Sequence, residues 1–343
     1  MNKYELYMTD DNSVGLYSNI TGDIFHSRTG ALTEAIEKFI NPSIKFFENS
    51  QNINVLDLCS GVGYNLKAFL LQNENISANI HSVDIDKEFI LLSPFVNDSI
   101  DDIDLKLFIL SEILSNGISI SEIYTLISEV LYKSDNRFFC LDMLNLIKFL
   151  SLGGYDLYGQ PQNNQFVHNI YYKYISNNMK NDLKCNKYEN ININYLIGDA
   201  RTILKNTDLI YDIVFLDGFS PQKDPVLWTY DFLSLIKNKI NSDSVLVSYS
   251  KSIPFRSALV ELGFFVGKTF IDKIDMGTVA SLNKNYILYP LDDYDLKLIS
   301  TTSGITYKDS DLSLNGESIL LNRDAEQKNS NRLSRTQFEK LYR

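Results

Sequence analysis

Cysteine is scarce in this sequence, and the three residues that occur, Cys59, Cys140 and Cys185, lie far apart. They show neither the spacing of a metal site nor the density of a disulfide-stabilised domain, so we expect a reducing environment and no metal. Long apolar runs are also missing, since none approaches the roughly eighteen residues of a membrane-spanning helix. The first residues lack the apolar stretch of a signal peptide. These absences predict a cytoplasmic protein with no membrane partner.

Positive charge is the second deficit. The chain has 32 Lys and Arg residues against 43 Asp and Glu residues, and its formal net charge is −11. Because phosphate contacts dominate nucleic-acid affinity, this balance argues mildly against a large nucleic-acid surface. Two stretches, residues 171–188 and the tail after Asn322, have the opposite bias, and we expect a local basic face there. Their basic residues are Lys173, Lys180, Lys184, Lys187, Arg323, Lys328, Arg332, Arg335, Lys340 and Arg343.

Alternating strand-like and helical segments are the main signal of the fold. They follow an N-terminal hairpin and favour an α/β protein with a mainly parallel sheet covered on both faces. The predicted strands are 14–18, 23–27, 53–58, 80–85, 192–197, 212–216, 244–249, 264–270 and 286–289, and the predicted helices are 31–40, 64–71, 229–240 and 254–262.

One long interval breaks the alternation. About a hundred residues separate Asp86 from Asn192, far more than a strand-to-strand crossover needs, and their pattern is helical, which predicts an inserted subdomain. The expected division is an N-terminal hairpin and helix (1–50), a first part of the α/β domain (51–92), a helical insertion (93–190), a second part of the α/β domain (191–295) and a partly basic C-terminal extension (296–343).

A small-residue loop and two acids predict an adenosine-type ligand site. In "VLDLCSGVGYN", residues 55–65, Gly61 and Gly63 let the backbone approach a ligand, and the following helix offers N–H donors. Asp84 ends the next strand, where a carboxylate can accept hydrogen bonds from ribose hydroxyls. The dinucleotide pattern fails because its third glycine is replaced by Leu66. Asp57 suits a cationic ligand, and the ammonium of S-adenosylmethionine provides one.

Two further segments complete the predicted site. Asp199 and Ala200 follow a strand and suit the adenine of the same cofactor. The strand at 212–216 ends in Asp217, where a carboxylate can accept hydrogen bonds from an amine acceptor and help to remove its proton. In the turn that follows, we expect Phe219, Ser220 and Pro221 to contact the substrate, with Phe219 as a stacking platform and Trp228 as a weaker candidate. His26 and Arg28 either line this pocket or form an ordinary surface turn.

The sequence closely resembles the MnmC-type tRNA methyltransferases. "FLDGFSPQKDPVLWTYDFL" is similar to the signature of the family, "VLDLCSGVGYNL" to its cofactor loop and "GDAR", residues 198–201, to its adenine-side motif. Residues 9–35 and "GITYKDSDLSL", residues 304–314, resemble the terminal portions of stand-alone members. The sequence departs from the family pattern at Cys59, where the family has a glycine, at two acids that are Asp where Glu is usual, and at 276–281, which lack the basic glycine-rich character of the family.

This resemblance implies a class I S-adenosylmethionine-dependent fold with a Rossmann-like, mainly parallel seven-stranded sheet. It also implies methylation of 5-aminomethyl(-2-thio)uridine at the tRNA wobble position, with Asp217 near the reacting amine and Asp57, Gly61, Gly63, Asp84 and Asp199 around the cofactor. The partners would be the anticodon stem-loop and a separate enzyme that makes the aminomethyl group. Two alternatives stay open: a small-molecule amine methyltransferase or aminopropyltransferase-like enzyme, and a binding protein that has lost catalysis.

Overall fold

A computed structural model of the chain describes residues 4–19, 22–25, 30–47, 50, 52–73, 76–100, 102–152 and 186–342. Its strands are β1 (Tyr4–Met8), β2 (Val14–Ser18), β3 (Asp23–Ile24), β4 (Asn52–Leu58), β5 (Ser77–Asp84), β6 (Ile191–Ile197), β7 (Tyr211–Leu216), β8 (Ile240–Ser248), β9 (Phe265–Ile271) and β10 (Ile274–Ser281). They form a three-stranded sheet, in the order β1-β2-β3, and a seven-stranded sheet, in the order β6-β5-β4-β7-β8-β10-β9. The seven-stranded α/β sheet confirms the predicted fold class.

Most of the helices lie between strands along the chain, and the last three follow β10. They are α1 (Ala31–Ala35), continued by a π-helical turn (Ile36–Ile40), α2 (Asn41–Ile44), α3 (Tyr64–Gln72), α4 (Lys87–Leu92), α5 (Ile103–Ser115), α6 (Ile120–Lys133), α7 (Leu141–Ser151), α8 (Ala200–Lys205), α9 (Tyr230–Lys237), α10 (Ile253–Glu261), α11 (Asp293–Ile299), α12 (Gly316–Asn329) and α13 (Arg335–Tyr342). Among the described residues, no helix is long and apolar enough to cross a membrane.

The chain divides into two compact units, residues 1–36 with 60–197 and residues 37–59 with 198–343. In the first unit the predicted hairpin β2–β3 is present, and β1, which was not predicted, pairs antiparallel with β2. The backbone N–H of Val14 donates to the Tyr64 hydroxyl at 2.9 Å, and that hydroxyl donates to the Val14 carbonyl at 3.0 Å. These two bonds fix the N-terminal sheet to the start of α3.

A buried ionic cluster lies beneath α3 in the first unit. Lys67 on α3 and Lys106 on α5 both bind Asp98, with nitrogen–oxygen distances of 2.8 and 2.5 Å. Burial lowers the pKa of Lys67 to about 8, an effect that the Asp98 charge opposes. A buried charge without a partner is costly, so both lysines need Asp98. The shared carboxylate therefore ties α5, which lies in the described part of the predicted insertion, to α3, the helix that follows the glycine loop.

The second unit contains the parallel strands β4, β7 and β8, followed by the antiparallel strands β10 and β9. The apolar run of β7, residues 213–216, is fully buried, as expected of a parallel strand covered on both faces. The predicted strand at 286–289 is wrong, because a 3₁₀ turn occupies Lys284–Tyr286. The last strand is β10, formed because Asp272 and Lys273 adopt positive φ angles and fold the chain directly back along β9.

Candidate functional site

The glycine loop of the first unit has the geometry of an anion or nucleoside cradle. Gly61 and Gly63 have φ angles of +54° and +80°, in the left-handed region that favours glycine, and α3 begins directly after them. A Cβ on Gly63 would approach the Ser93 hydroxyl to 3.0 Å, so this position has little room for a side chain. At Gly61 and Gly63 the loop therefore presents bare backbone just before the start of a helix.

Asp84 is held against this loop. Its Oδ2 accepts the N–H of Gly61 at 2.8 Å, and its Oδ1 accepts the N–H of Asp86 at 2.8 Å. Burial raises the pKa of Asp84 to about 6, although these N–H donors oppose the shift. A carboxylate has about four acceptor sites, so Asp84 keeps acceptor capacity for a ribose hydroxyl beside its backbone donors.

Ile85, the residue after this acid, was not singled out from the sequence. Its side chain is 77% exposed, which is unusual for a large apolar residue at the end of a core strand. The available signal was its position directly after a strand-end carboxylate. An exposed apolar side chain here is suited to pack against the face of an aromatic ring.

Two of the predicted acids lie at the same edge of the sheet in the second unit. Asp57 lies opposite Phe215 in the parallel pairing of β4 with β7, and the N–H of Asp217 donates to the Leu58 carbonyl at 3.2 Å. Asp57 is fully buried and Asp217 is half-buried. The ends of the two strands therefore place both carboxylates at the carboxyl edge of the sheet, where ligands bind in open α/β folds.

Cys59 occupies the loop position where the MnmC-type family, which the sequence resembles, has glycine. Its φ angle is +61°, so it adopts a conformation that ordinary side chains rarely take. The side chain is small, and its sulfur lies 3.4 Å from where a Cβ on Gly218 would be. The cysteine sulfur therefore lies beside Gly218, in the turn that follows Asp217.

The turn after Asp217 is fixed by two side-chain donors. Trp228 Nε1 donates to the Phe219 carbonyl and the Tyr249 hydroxyl donates to the Gly218 carbonyl, each at 2.8 Å. Trp228 is fully buried, with its ring 5.0 Å from that of Phe255. It therefore supports the turn from within the core and is not an accessible stacking platform.

We expect Trp228→Phe to lower the free energy of unfolding by about 1–3 kcal/mol, because it leaves the Phe219 carbonyl without its donor and the smaller ring fills less of the buried site. Urea unfolding followed by far-ultraviolet circular dichroism measures this change, since Trp228 is the chain's single tryptophan. Tyr249→Phe removes the other donor and is the matched comparison. Equal stability of Trp228→Phe and the unchanged protein would contradict the role assigned to Nε1.

The remaining predicted substrate contacts differ in exposure. Phe219 and Ser220 are half-buried and Pro221 is buried. The Ser220 carbonyl accepts the N–H groups of Lys223 and Asp224 at 2.8 and 3.0 Å, which closes the turn. Phe219 is therefore partly accessible two residues after Asp217, while Pro221 shapes the backbone. His26 and Arg28 lie outside the described residues.

Asp199 caps the start of α8 and is bound by Arg201, a residue that was not predicted to act here. The Asp199 carboxylate accepts the Arg201 backbone N–H at 2.8 Å and approaches its Nη2 at 2.6 Å. Burial favours a higher pKa for Asp199, but the Arg201 hydrogen bonds and charge outweigh it and hold the pKa below its ordinary value. Ala200, the first residue of α8, is buried.

The predicted basic face is only partly described. Lys173, Lys180 and Lys184 lie outside the described residues, and Lys187 pairs with Asp102 at 3.1 Å. In the tail, Arg323 donates to the carbonyls of Ile305 and Ser303, so it serves the fold of the extension. Arg335 pairs with Glu339 at 2.8 Å. In the tail, Glu339 therefore offsets the charge of Arg335, and the donors of Arg323 are engaged by backbone carbonyls.

A separate cavity of about 260 Å³ lies beside β9. Its lining includes Lys45, Phe270, Tyr286 and Tyr289 but none of the predicted cofactor or acceptor residues. This volume is below the roughly 300–1,000 Å³ of typical cofactor pockets. The candidate site is therefore placed at the carboxylates of the strand ends and not in this cavity.

Comparison with known proteins identifies the family. A family described as S-adenosyl-L-methionine-dependent methyltransferase matches residues 161–274. The uncharacterized protein MJ0670 of Methanocaldococcus jannaschii is 32% identical over 324 residues, covering 94% of this chain and 72% of that protein. The crystal structure of MnmC2 from Aquifex aeolicus matches 96% of this chain and 87% of its own, with a TM-score of 0.63 and 24% identity, and shows the same fold.

The chain belongs to the MnmC-like methyltransferases. The tRNA 5-methylaminomethyl-2-thiouridine biosynthesis bifunctional protein MnmC of Campylobacter hominis is 36% identical over 81 residues. That match covers 24% of this chain and 12% of the longer protein. This MnmC-like protein is therefore an S-adenosylmethionine-dependent methyltransferase, and its glycine loop and strand-end carboxylate fit that cofactor.

Proposed function

We propose that this methyltransferase transfers a methyl group to the amine of 5-aminomethyl(-2-thio)uridine at the wobble position of tRNA, giving the 5-methylaminomethyl product. The observation that carries the proposal is Asp217 at the end of β7, half-buried and followed by a turn that two side-chain donors hold in place. A carboxylate fixed in this way suits an amine that must be oriented and deprotonated.

The proposed contacts of the cofactor are acidic side chains and backbone groups. Asp84 accepts the ribose hydroxyls, the backbone of Gly61 and Gly63 faces the ligand, and Asp199 with the Ala200 N–H receives the adenine edge. The buried Asp57 carboxylate favours a cationic group, because an opposite charge offsets its desolvation. S-adenosylmethionine supplies the methyl sulfonium electrophile. The protein therefore has to bind and orient the two substrates and accept one proton from the amine.

On the acceptor side, the amine is reactive only when it is neutral. Asp217 accepts hydrogen bonds from the aminomethyl nitrogen and helps to withdraw the proton, which leaves the lone pair in line with the methyl group. Phe219 offers a partly accessible ring on which the uracil base stacks. Ser220 and Pro221 set the backbone path beside that base, and His26 and Arg28 are proposed to contact the neighbouring nucleotides.

Transfer to tRNA is supported by the matched MnmC relative, which is a tRNA 5-methylaminomethyl-2-thiouridine biosynthesis protein. The shared stretch covers 24% of this chain. A wobble base lies in a single-stranded loop, so turning it into a pocket requires little unpairing. The anticodon stem is proposed to contact Lys173, Lys180 and Lys184, whereas Lys187 pairs with Asp102. A separate enzyme would have to produce the aminomethyl group before this reaction.

Cofactor affinity should fall as the pH drops below about 6, because the raised pKa of Asp84 lets a proton compete with the ribose hydroxyls. With that pKa, the ionised fraction decreases about tenfold between pH 7 and pH 5, and affinity should follow. Calorimetric titration with S-adenosylhomocysteine measures the change. Asp84→Asn should bind weakly at every pH, and a flat profile for the unchanged protein would contradict the ribose role.

A transfer assay with methyl-labelled S-adenosylmethionine tests the proposed acceptor. The acceptors are tRNA carrying 5-aminomethyluridine, the same tRNA without modification, and a set of free amines including polyamines. We expect label in the aminomethyl tRNA alone. Label in free amines would replace the proposal with small-molecule transfer, and cofactor binding without transfer to any acceptor would indicate a binding protein.

A further inference from the structure

Arg201 joins the adenine-side turn to the C-terminal extension. Its Nε donates to both oxygens of Asp199 at 3.1 Å, and its Nη2 donates to Oδ2 at 2.6 Å. Its Nη1 donates to Asp309 Oδ2 at 2.9 Å and to the Leu314 carbonyl at 2.8 Å. All three guanidinium nitrogens are engaged, so the side chain is locked between Asp199 and residues 307–316, which we call the strap.

The network is largely shielded from water. The Arg201 side chain is 12% exposed and that of Asp309 is fully buried. Asp309 Oδ1 also accepts the N–H groups of Ser313 and Leu314, at 3.0 and 3.1 Å, which folds the strap around this carboxylate. Charge-assisted bonds are strong when water is excluded, so Arg201 holds the strap firmly.

The same strap contacts the segment that follows the acceptor turn. The Tyr230 N–H donates to the Tyr307 carbonyl at 2.8 Å, and the Asp309 N–H donates to Asp231 Oδ2 at 2.5 Å. A Cβ on Gly316 would lie 3.2 Å from the Pro225 ring. The strap therefore touches both the start of α8, on the adenine side, and the start of α9, which follows the acceptor turn.

We propose that Arg201 is a positioning residue, which orients the Asp199 carboxylate for the adenine of the cofactor and uses the strap to fix its spacing from the acceptor turn. This inference rests on the role of Asp199 in the proposed function. Arg201 itself touches neither the reacting amine nor the methyl group. It acts through Asp199 on one side and through Asp309 on the other.

The chemistry of Arg201 sets the expected behaviour of its variants. Arg201→Gln removes the cation from Asp199 and leaves Asp309 buried without its positive partner. Arg201→Lys keeps one point charge, which can serve one carboxylate but not both, so it should recover part of the function. Lys308→Gln is the matched control. Lys308 lies in the same strap, and its substitution breaks an exposed pair with Glu326 without affecting Asp199.

Affinity for S-adenosylhomocysteine, measured by calorimetry on the full chain, is the primary readout. We expect Arg201→Gln to weaken binding about tenfold or more, Arg201→Lys to recover part of that loss, and Lys308→Gln to bind normally. The acceptor KM should also rise in Arg201→Gln, because the strap loosens. If Arg201→Gln folds poorly, the same substitution is made with Asp309→Asn, which removes the uncompensated buried charge.

A double-mutant cycle with Asp199→Asn separates positioning from general stability. If Arg201 acts through Asp199, the double variant should bind no more weakly than Asp199→Asn by itself, whereas independent losses should add. Additive losses, or normal binding by Arg201→Gln beside weak binding by Asp199→Asn, would overturn the inference and leave the Asp199 assignment intact. Normal binding by Asp199→Asn would overturn both. None of these outcomes depends on the identity of the methyl acceptor.

Discussion

Asp217→Asn is expected to lower kcat for methyl transfer by about 100- to 10,000-fold, the range associated with loss of a positioned proton acceptor. The substituted amide keeps the shape of the side chain and one acceptor oxygen, but it cannot take up the proton of the amine. Affinity for S-adenosylhomocysteine should not change, because Asp217 is assigned to the acceptor and not to the cofactor. Single-turnover transfer and calorimetric binding provide the two measurements.

Asp212→Asn is the matched control for this experiment. Asp212 lies at the opposite end of β7, is half-buried, and accepts the N–H of Asn54 at 2.7 Å. A similar loss of transfer in both variants would indicate a general effect on the strand. Full activity of Asp217→Asn would remove this residue from the catalytic step.

Asp84→Asn is expected to weaken S-adenosylhomocysteine binding by about 100-fold. Two hydrogen bonds from ribose hydroxyls to an ionised carboxylate contribute about 1.5–3 kcal/mol each, and part of this survives in the neutral amide. Calorimetry on the variant and the unchanged protein at pH 7.5 measures the loss. Asp135→Asn, at an exposed ion pair with Arg137, serves as a control in the same unit.

Stability should not fall together with affinity. Since the folded pKa of Asp84 is about 6, above its ordinary value of 3.8, ionising this buried group costs stability as the pH rises from about 4 through 6. Asp84→Asn removes that charge but also replaces one of the two oxygens that accept the N–H groups of Gly61 and Asp86, so the two effects offset and we expect a similar melting temperature at pH 7.5. A large fall in both affinity and melting temperature would instead indicate a structural role.

The sequence was most informative where local pattern and function coincide. The apolar run of β7 and its abrupt change to Asp217-Gly218 defined both a buried strand and its functional end. The glycine loop was equally readable, because Gly61 and Gly63 adopt the positive φ angles that their identity suggests. In both places one short segment carries the signal for the fold and for the site.

Contacts between distant segments were not readable. Arg201 binds Asp309, which is 108 positions away in the sequence, and no local pattern predicts such a pair. The strand β10 was missed because Gly277 interrupts its apolar pattern. A Cβ at Gly277 would come within 2.4 Å of the Ser248 carbonyl, so close packing requires the glycine there. The bond from Trp228 to the Phe219 carbonyl likewise depends on tertiary structure and not on local pattern.

The most direct test of the central claim is the identity of the methylated nucleoside. After reaction with tRNA bearing 5-aminomethyluridine, the RNA is digested to nucleosides and analysed by liquid chromatography with mass spectrometry, with Asp217→Asn as the comparison. The account predicts that 5-aminomethyluridine is converted to its 5-methylaminomethyl derivative and that the variant forms almost none. Methylation of a different nucleoside, with 5-aminomethyluridine unchanged, would contradict it.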